Sequence, residues 1–194
     1  ANTVYHGLPK DLYKFNAEPG KYLAFLGRVS PEKCPDQAIE LAKRVGLPMK
    51  MAAKVDPADR AYFERVVEPL LDHPLIEFVG EITDAEKSDF IGNAIGLVCP
   101  YDWPEPFGLV LIESLACGTP VLAYRRGSIP EIIGHGVTGF ISENLDEMVS
   151  QVSKLGTIDR HRCRQVFDER FTAQRMTNDY VKIYQQLIAD AATL

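Results

Sequence analysis

Two glutamates eight positions apart bracket a run of apolar residues: Glu105 and Glu113, in PEPFGLVLIE at 104–113. Glu105 sits between two prolines in a turn-prone stretch, and Glu113 sits among Leu109, Val110, Leu111, Ile112, Leu115 and Ala116. A carboxylate buried without partners is costly or takes up a proton. A vicinal diol, offering two hydroxyls to one carboxylate, would satisfy Glu113. Glu105, across the loop, would accept from other hydroxyls of the same ligand. The plainer alternative makes Glu105 solvated loop and Glu113 an exposed helix position.

Between the two carboxylates a helix is expected to begin near Gly108. Its start leaves unpaired backbone N–H groups around Phe107, Gly108, Leu109 and Val110, at the positive end of the helix dipole. Gly108 has no side chain, so a ligand can approach the backbone closely, which suits a phosphate or a sugar hydroxyl. Glu113 falls about one turn after Leu109 on the same face, and helical side chains lean toward the N-terminus. Two carboxylates repel a phosphate unless cations are supplied. FLGRVSPEKCPD supplies Arg28 and Lys33, expected in a strand-to-helix loop that faces the glutamates. A guanidinium grips phosphate oxygens in pairs and Lys adds a mobile point charge; the alternative is that both are solvated surface cations.

The elements that must position these groups are readable from hydrophobic runs. Strand candidates are KYLAFLG (21–27), MKMAAKV (49–55), IEFVG (76–80), IGLVC (95–99), PVLAY (120–124) and TGFI (138–141). Helical patterns lie at about 35–45, 58–71, 84–94, 108–117, 144–155, 158–169 and 172–191. Short apolar strands alternating with helices indicate an α/β fold: a doubly wound, Rossmann-like parallel sheet of about six strands covered on both faces. In such folds ligands bind where loops leave the carboxyl ends of the strands. We expect residues 1–20 to be a connector, 21–171 the Rossmann-like domain, and 172–194 a final helix in need of a surface. Met176, Tyr180, Ile183, Tyr184 and Leu187 recur there at helical spacing. GSIPE (127–131) should open a short helix, with Glu131 a cap or solvated. Tyr101 and Trp103 line either the site or the core edge.

Composition excludes several classes. Hydrophobic residues make up 46% and charged residues 25%, an ordinary globular balance. A net charge of -6 argues against non-specific nucleic-acid binding. Cys34, Cys99, Cys117 and Cys163 form no C-x-x-C pair and read as reduced thiols of a cytoplasmic protein. The four histidines, among them His6, have no metal-ligand spacing. D-x-D is absent, and Asp56 and Asp59 are too loosely spaced to replace it, so no metal is expected. No apolar run reaches the length of a membrane span, and Lys10, Lys14 and Lys21 are too sparse for a membrane patch. The chain opens on Ala rather than Met, and we expect a preceding segment.

GRVSPEK, FVGEITDAEKSDF, PEPFGLVLIESLACGTPVLAY and GSIPEIIGHGVTGF, in that order, resemble the successive motifs of the C-terminal domain of family 4 retaining glycosyltransferases of the GT-B fold. The likeness spans about residues 2 to 190. It implies that Arg28 and Lys33 hold the donor diphosphate and stabilise the leaving nucleotide. Glu105 and the backbone at Phe107 and Gly108 hold the transferred sugar. Leu109 gives an N–H to a phosphate, Glu113 binds the ribose diol, Ile82 meets the base through its backbone, and Lys87 touches it. The implied reaction is metal-independent transfer from a nucleotide-sugar donor to an acceptor hydroxyl, with retention. The acceptor, a sugar, lipid or small molecule, would bind a preceding N-terminal domain, so this chain alone is expected to be inactive. Any peripheral site at the inner membrane face would lie on that half. TVYHGLPKDLYKF looks like the family's linker, and His6 within it is given no role. A phosphorylase, a sugar-nucleotide epimerase and a non-catalytic nucleotide-sugar-binding module remain as alternatives.

Overall fold

A computed structural model describes residues 2–18 and 20–192; the expected connector and final helix are described within those limits, and residues 1, 19, 193 and 194 lie outside them. Six strands form one sheet: β1 Tyr22–Arg28, β2 Met49–Lys54, β3 Ile76–Gly80, β4 Ala94–Cys99, β5 Val121–Tyr124 and β6 Gly139–Ser142. Their order is β3-β2-β1-β4-β5-β6, every neighbouring pair is parallel, and the direction of winding reverses between β1 and β4. The helices between them are α1 Pro35–Val45, α2 Arg60–Tyr62, α3 Glu68–Leu71, α4 Asp84–Gly92, α5 Leu109–Ala116, α6 Ile129–Ile132 and α7 Leu145–Val152, followed by α8 Arg160–Arg170 and α9 Ala173–Ala191.

The central strands are apolar because helices cover both faces. Leu23, Ala24, Phe25 and Leu26 of β1 and all of β5 are buried. Coverage on both faces fails at the β2–β3 edge. Lys50 and Glu77 are register partners joined by a 2.9 Å ion pair, and Val79 beside them is exposed. The helix that leaves β3 does not lie over its own strand. α4 packs on β4 instead, and the Tyr22 hydroxyl of β1 donates to the Phe90 carbonyl at 2.7 Å. β3 accordingly alternates half-buried and exposed residues, as a strand with one wet face must.

The expected helix at 58–71 is broken. A 3-10 turn, Pro57–Asp59, leads into α2, and a π turn, Phe63–Val67, separates α2 from α3. Pro69 explains the widening. It has no N–H to donate to the Arg65 carbonyl, and its ring crowds that oxygen in regular α geometry.

The N-terminal segment is bound to the domain along its length. Leu8 bridges Thr172, the Asn16 N–H donates to the Cys117 carbonyl, and Tyr13 is buried. In contrast, α9 buries no residue and exposes Tyr180, Val181, Tyr184, Leu187 and Ile188. Among the described residues, no helix is long and apolar enough to cross a membrane.

Candidate functional site

The winding reverses between β1 and β4, and in folds of this kind the ligand crevice lies there, at the carboxyl ends of the strands. The β1 loop makes one 3-10 turn, Pro31–Lys33, and then passes Cys34 at φ 48° into α1. The Asp102 N–H of the β4 loop donates to the Glu32 carbonyl at 3.0 Å and ties the two loops together. Lys33 thereby reaches across to Glu105. Its ammonium pairs with Oε2 of that carboxylate and lies 4.0 Å from the centre of the Tyr101 ring and 5.0 Å from that of Trp103.

Glu105 is only 7% exposed. Trp103 Nε1–H donates at 3.0 Å to the same Oε2 that Lys33 grips, so Oε1 is the oxygen left to face a ligand. Of the two aromatic residues, Tyr101 is core and Trp103 belongs to the site.

The backbone of this loop is clasped from behind by the turn after β5. Ser128 N–H donates to the Glu105 carbonyl at 2.9 Å, and its hydroxyl donates to the Phe107 carbonyl at 3.0 Å. Gly127 makes that approach possible. It has φ 52°, and a Cβ there would sit 2.3 Å from the Glu105 carbonyl oxygen. Gly127→Ala is expected to cost about 2 kcal/mol or more, from strain at a positive φ plus the backbone collision. Urea unfolding measures it, and a loss near zero would contradict the clasp.

α5 begins at Leu109 with Gly108 as its N-cap at φ 82°, and no side chain caps the first turn. Its leading N–H groups and the positive end of its dipole therefore face the crevice. One turn in, Glu113 is 8% exposed. It is not alone: Lys87 Nζ lies 3.3 Å from Oε1 and 2.9 Å from Asp84. Burial opposes the Lys87 charge, but the two carboxylates outweigh it and raise its pKa. Tyr13 lies beside Glu113, and burial together with that carboxylate pushes its phenol up, so it stays a donor. Tyr13 and Ser128 are site residues that sequence reasoning missed. Both lie in stretches that carry the family likeness, one in the linker-like N-terminal segment and the other in GSIPE, but only the fold brings them to the carboxylates.

Arg28 departs from expectation. As the last residue of β1 it leans toward β2, with Glu32 at 2.5 Å, Asp59 at 3.7 Å and Asp56 at 4.0 Å, while Lys33 faces the glutamate loop. The sheet order explains this, because β2 and β4 flank β1 on opposite sides. Ile82 follows β3 and walls a small cavity of about 110 Å³ at the carboxyl ends of β1 and β2, with Leu26, Gly27, Ala52, Ala53 and Lys54. The larger concavity, about 710 Å³, opens at the amino ends of β1, β2 and β3 and shares none of these groups. Glu131 is exposed and accepts from the Tyr5 hydroxyl at 2.9 Å, away from both carboxylates.

Residues 12–165 match the family described as glycosyl transferases group 1. Over 94 residues the chain is 36% identical to N-acetyl-alpha-D-glucosaminyl L-malate synthase of Bacillus anthracis, covering 44% of this chain and 25% of that protein. Over 200 residues it is 26% identical to an uncharacterized glycosyltransferase of Methanocaldococcus jannaschii, covering 96% of this chain and 54% of that protein. The crystal structure of Anabaena HepE in complex with UDP and glucose has the same fold, with a TM-score of 0.77 at 19% identity. That match covers 100% of this chain and 57% of HepE. The chain thus spans between a quarter and about half of these relatives' lengths.

Proposed function

The chain belongs to the glycosyl transferases group 1 family, and from that premise we propose that it is the donor-binding half of a retaining, family 4 glycosyltransferase, which moves a hexosyl group from a nucleoside-diphosphate sugar to an acceptor hydroxyl. One observation carries the reading. Two buried carboxylates, each beside a lysine, flank an uncapped helix start at the point where the sheet reverses.

In this reading Glu113 accepts the two ribose hydroxyls, with Lys87 paired to it. Ile82 and Lys87 lie toward the base. The diphosphate rests on the first N–H groups of α5, Leu109 among them, where N–H donors and dipole favour an anion. Lys33 and Arg28 neutralise the charge that develops on the leaving nucleotide, so no metal is needed there. Oε1 of Glu105 and the backbone at Phe107 and Gly108 orient the transferred sugar. The acceptor binds on a second half, and the exposed apolar face of α9 is the surface that half would cover. Four free, buried thiols suit a reducing cytoplasm. HepE, solved with UDP and glucose, supports a nucleotide-sugar donor.

Calorimetric titration with UDP, GDP and ADP tests the proposal. One nucleotide should bind selectively. Glu113→Gln should weaken it about tenfold, the worth of hydrogen bonds to a charged acceptor, while leaving inorganic pyrophosphate unaffected. Absence of binding by all three, or equal losses for nucleotide and pyrophosphate, would overturn the assignment.

A further inference from the structure

Four aromatic rings meet behind the loop that carries Glu105 and Gly108. The His6 ring lies edge-on to Phe107, with centroids 4.9 Å apart and planes at 79°. Phe171 sits 6.2 Å from Phe107 in a T-shaped pair, and Tyr5 lies 6.3 Å from Phe107 and 6.1 Å from Phe171. Two of these residues come from the N-terminal segment, one from the α8–α9 junction, and one from the loop itself.

The backbone beneath His6 is pinned on both sides. Leu8 N–H donates to the Phe171 carbonyl at 2.9 Å, and Ala173 N–H donates to the Leu8 carbonyl at 2.8 Å. The Arg175 guanidinium donates to the carbonyls of Tyr5 at 2.7 Å and His6 at 3.1 Å. Between them the chain lies flat on the junction, since a Cβ on Gly7 would fall 2.3 Å from the Thr172 carbonyl oxygen. The ladder fixes the backbone of His6 beside Phe107, and the exposed ring lies edge-on against it. Phe107 in turn precedes Gly108, the N-cap of α5.

We infer that His6 is a positioning residue for the donor sugar: its ring clamps Phe107, and so holds the backbone of residues 107 and 108 against which the sugar lies. This rests on the reading that Phe107 and Gly108 receive the transferred sugar. The clamp joins the N-terminal segment and the start of α9 to the site through one aromatic contact. A shift of either element is thereby felt at the sugar rather than at the nucleotide, whose proposed contacts lie beyond Gly108 on α5, on α4 and in the loops after β1 and β3.

His6→Ala and His6→Phe separate ring packing from imidazole chemistry. Amide exchange at Ser128, whose N–H grips the Glu105 carbonyl of the same loop, read without ligand, should rise about fivefold in His6→Ala and return to the wild-type rate in His6→Phe. Titration with the nucleotide that the wild-type chain selects, and with its glucose conjugate, should follow the same pattern. In His6→Ala the conjugate weakens about fivefold, the bare nucleotide does not change, and His6→Phe restores the conjugate. Unchanged exchange in His6→Ala overturns the clamp. A His6→Phe variant as weak as His6→Ala also overturns it, because the imidazole would then touch the ligand itself. Equal weakening of nucleotide and conjugate overturns the link to the sugar. A wild-type chain that binds neither overturns the donor reading and the sugar link together, whatever the exchange rates show.

Discussion

Lys33→Ala is expected to lower the affinity of the chain for its nucleoside diphosphate about 100-fold and to destabilise the fold by about 2 kcal/mol. Both effects follow from where its ammonium sits. It shares Oε2 of Glu105 with the Trp103 indole, above the Tyr101 ring, with 18% of the Lys33 side chain and 9% of the Glu105 side chain exposed. Removing the lysine takes away a cation beside the glutamate loop, and it leaves the Glu105 carboxylate buried and held by a single neutral donor. A buried charge that loses its partner costs more than the pair contributed. The two effects separate in the double variant Lys33→Ala/Glu105→Gln. That variant should recover most of the lost stability, since the amide carries no charge to strand, yet diphosphate affinity should stay low. Urea unfolding and calorimetry on the four proteins of the cycle read both quantities. Wild-type diphosphate affinity in Lys33→Ala would remove Lys33 from the phosphate site, and failure of the double variant to recover would show that Glu105 is held by something other than this lysine.

The partnership of Lys33 with Glu105 was open to sequence reasoning in outline, and its limits are instructive. Short apolar runs located all six strands to within about a residue, because burial on both faces leaves no polar positions to confuse the period. The same logic overreached at β3, where Glu77 and Val79 point to solvent; its alternation was visible in the sequence, but strand order alone decides that it lies at the edge. The helix at 58–71 was legible as helix, while its π turn depends on how a proline at 69 is accommodated, which periodicity does not report. In the site, Glu105, Glu113 and Lys33 announced themselves as charges in apolar or loop contexts. Chain proximity of Arg28 to Lys33 suggested a shared direction, but the last residue of β1 can turn to either neighbour, and here it pairs with Glu32, Asp59 and Asp56. Lys87 was marked for a base contact, and the fold adds an ion pair with Glu113 across 26 positions. Tyr13 and His6 matter only through contacts that span 100 positions or so in sequence, and no local pattern encodes those.

Arg160 bears the second large prediction, at the opposite end of the sheet. It is 8% exposed, and its guanidinium donates to the carbonyls of Asn16 at 2.8 Å, Ala94 at 3.0 Å and Gly92 at 2.6 Å and to the Thr119 hydroxyl at 2.8 Å. Among the described residues no carboxylate pairs with it, and burial lowers its pKa. The charge is solvated by backbone in place of water, and in return it joins the N-terminal segment, the end of α4, the start of β4 and the turn before β5. Those segments lead into β1, β4 and β5 at the amino ends of the strands. Arg160→Met fills similar space but takes the guanidinium from the carbonyls of Asn16 and Ala94, while Gly92 keeps the Asn16 amide at 3.0 Å; at about 1–3 kcal/mol for each carbonyl, a loss of about 3–5 kcal/mol is expected. Against a total stability of about 5–15 kcal/mol for a domain, that brings the variant close to unfolding. Arg160→Lys should lose about 2–3 kcal/mol, because one compact ammonium cannot span the fork. Urea unfolding gives both values. Because Arg160 works at the amino ends of the strands and the carboxylates at the carboxyl ends, whatever fraction of Arg160→Met remains folded should bind nucleotide with wild-type affinity. A loss below about 1 kcal/mol would mean that water replaces the guanidinium at little cost. Weakened binding by fully folded protein would mean that the two ends of the sheet are coupled, with Arg160 helping to set the β1–β4 crevice itself.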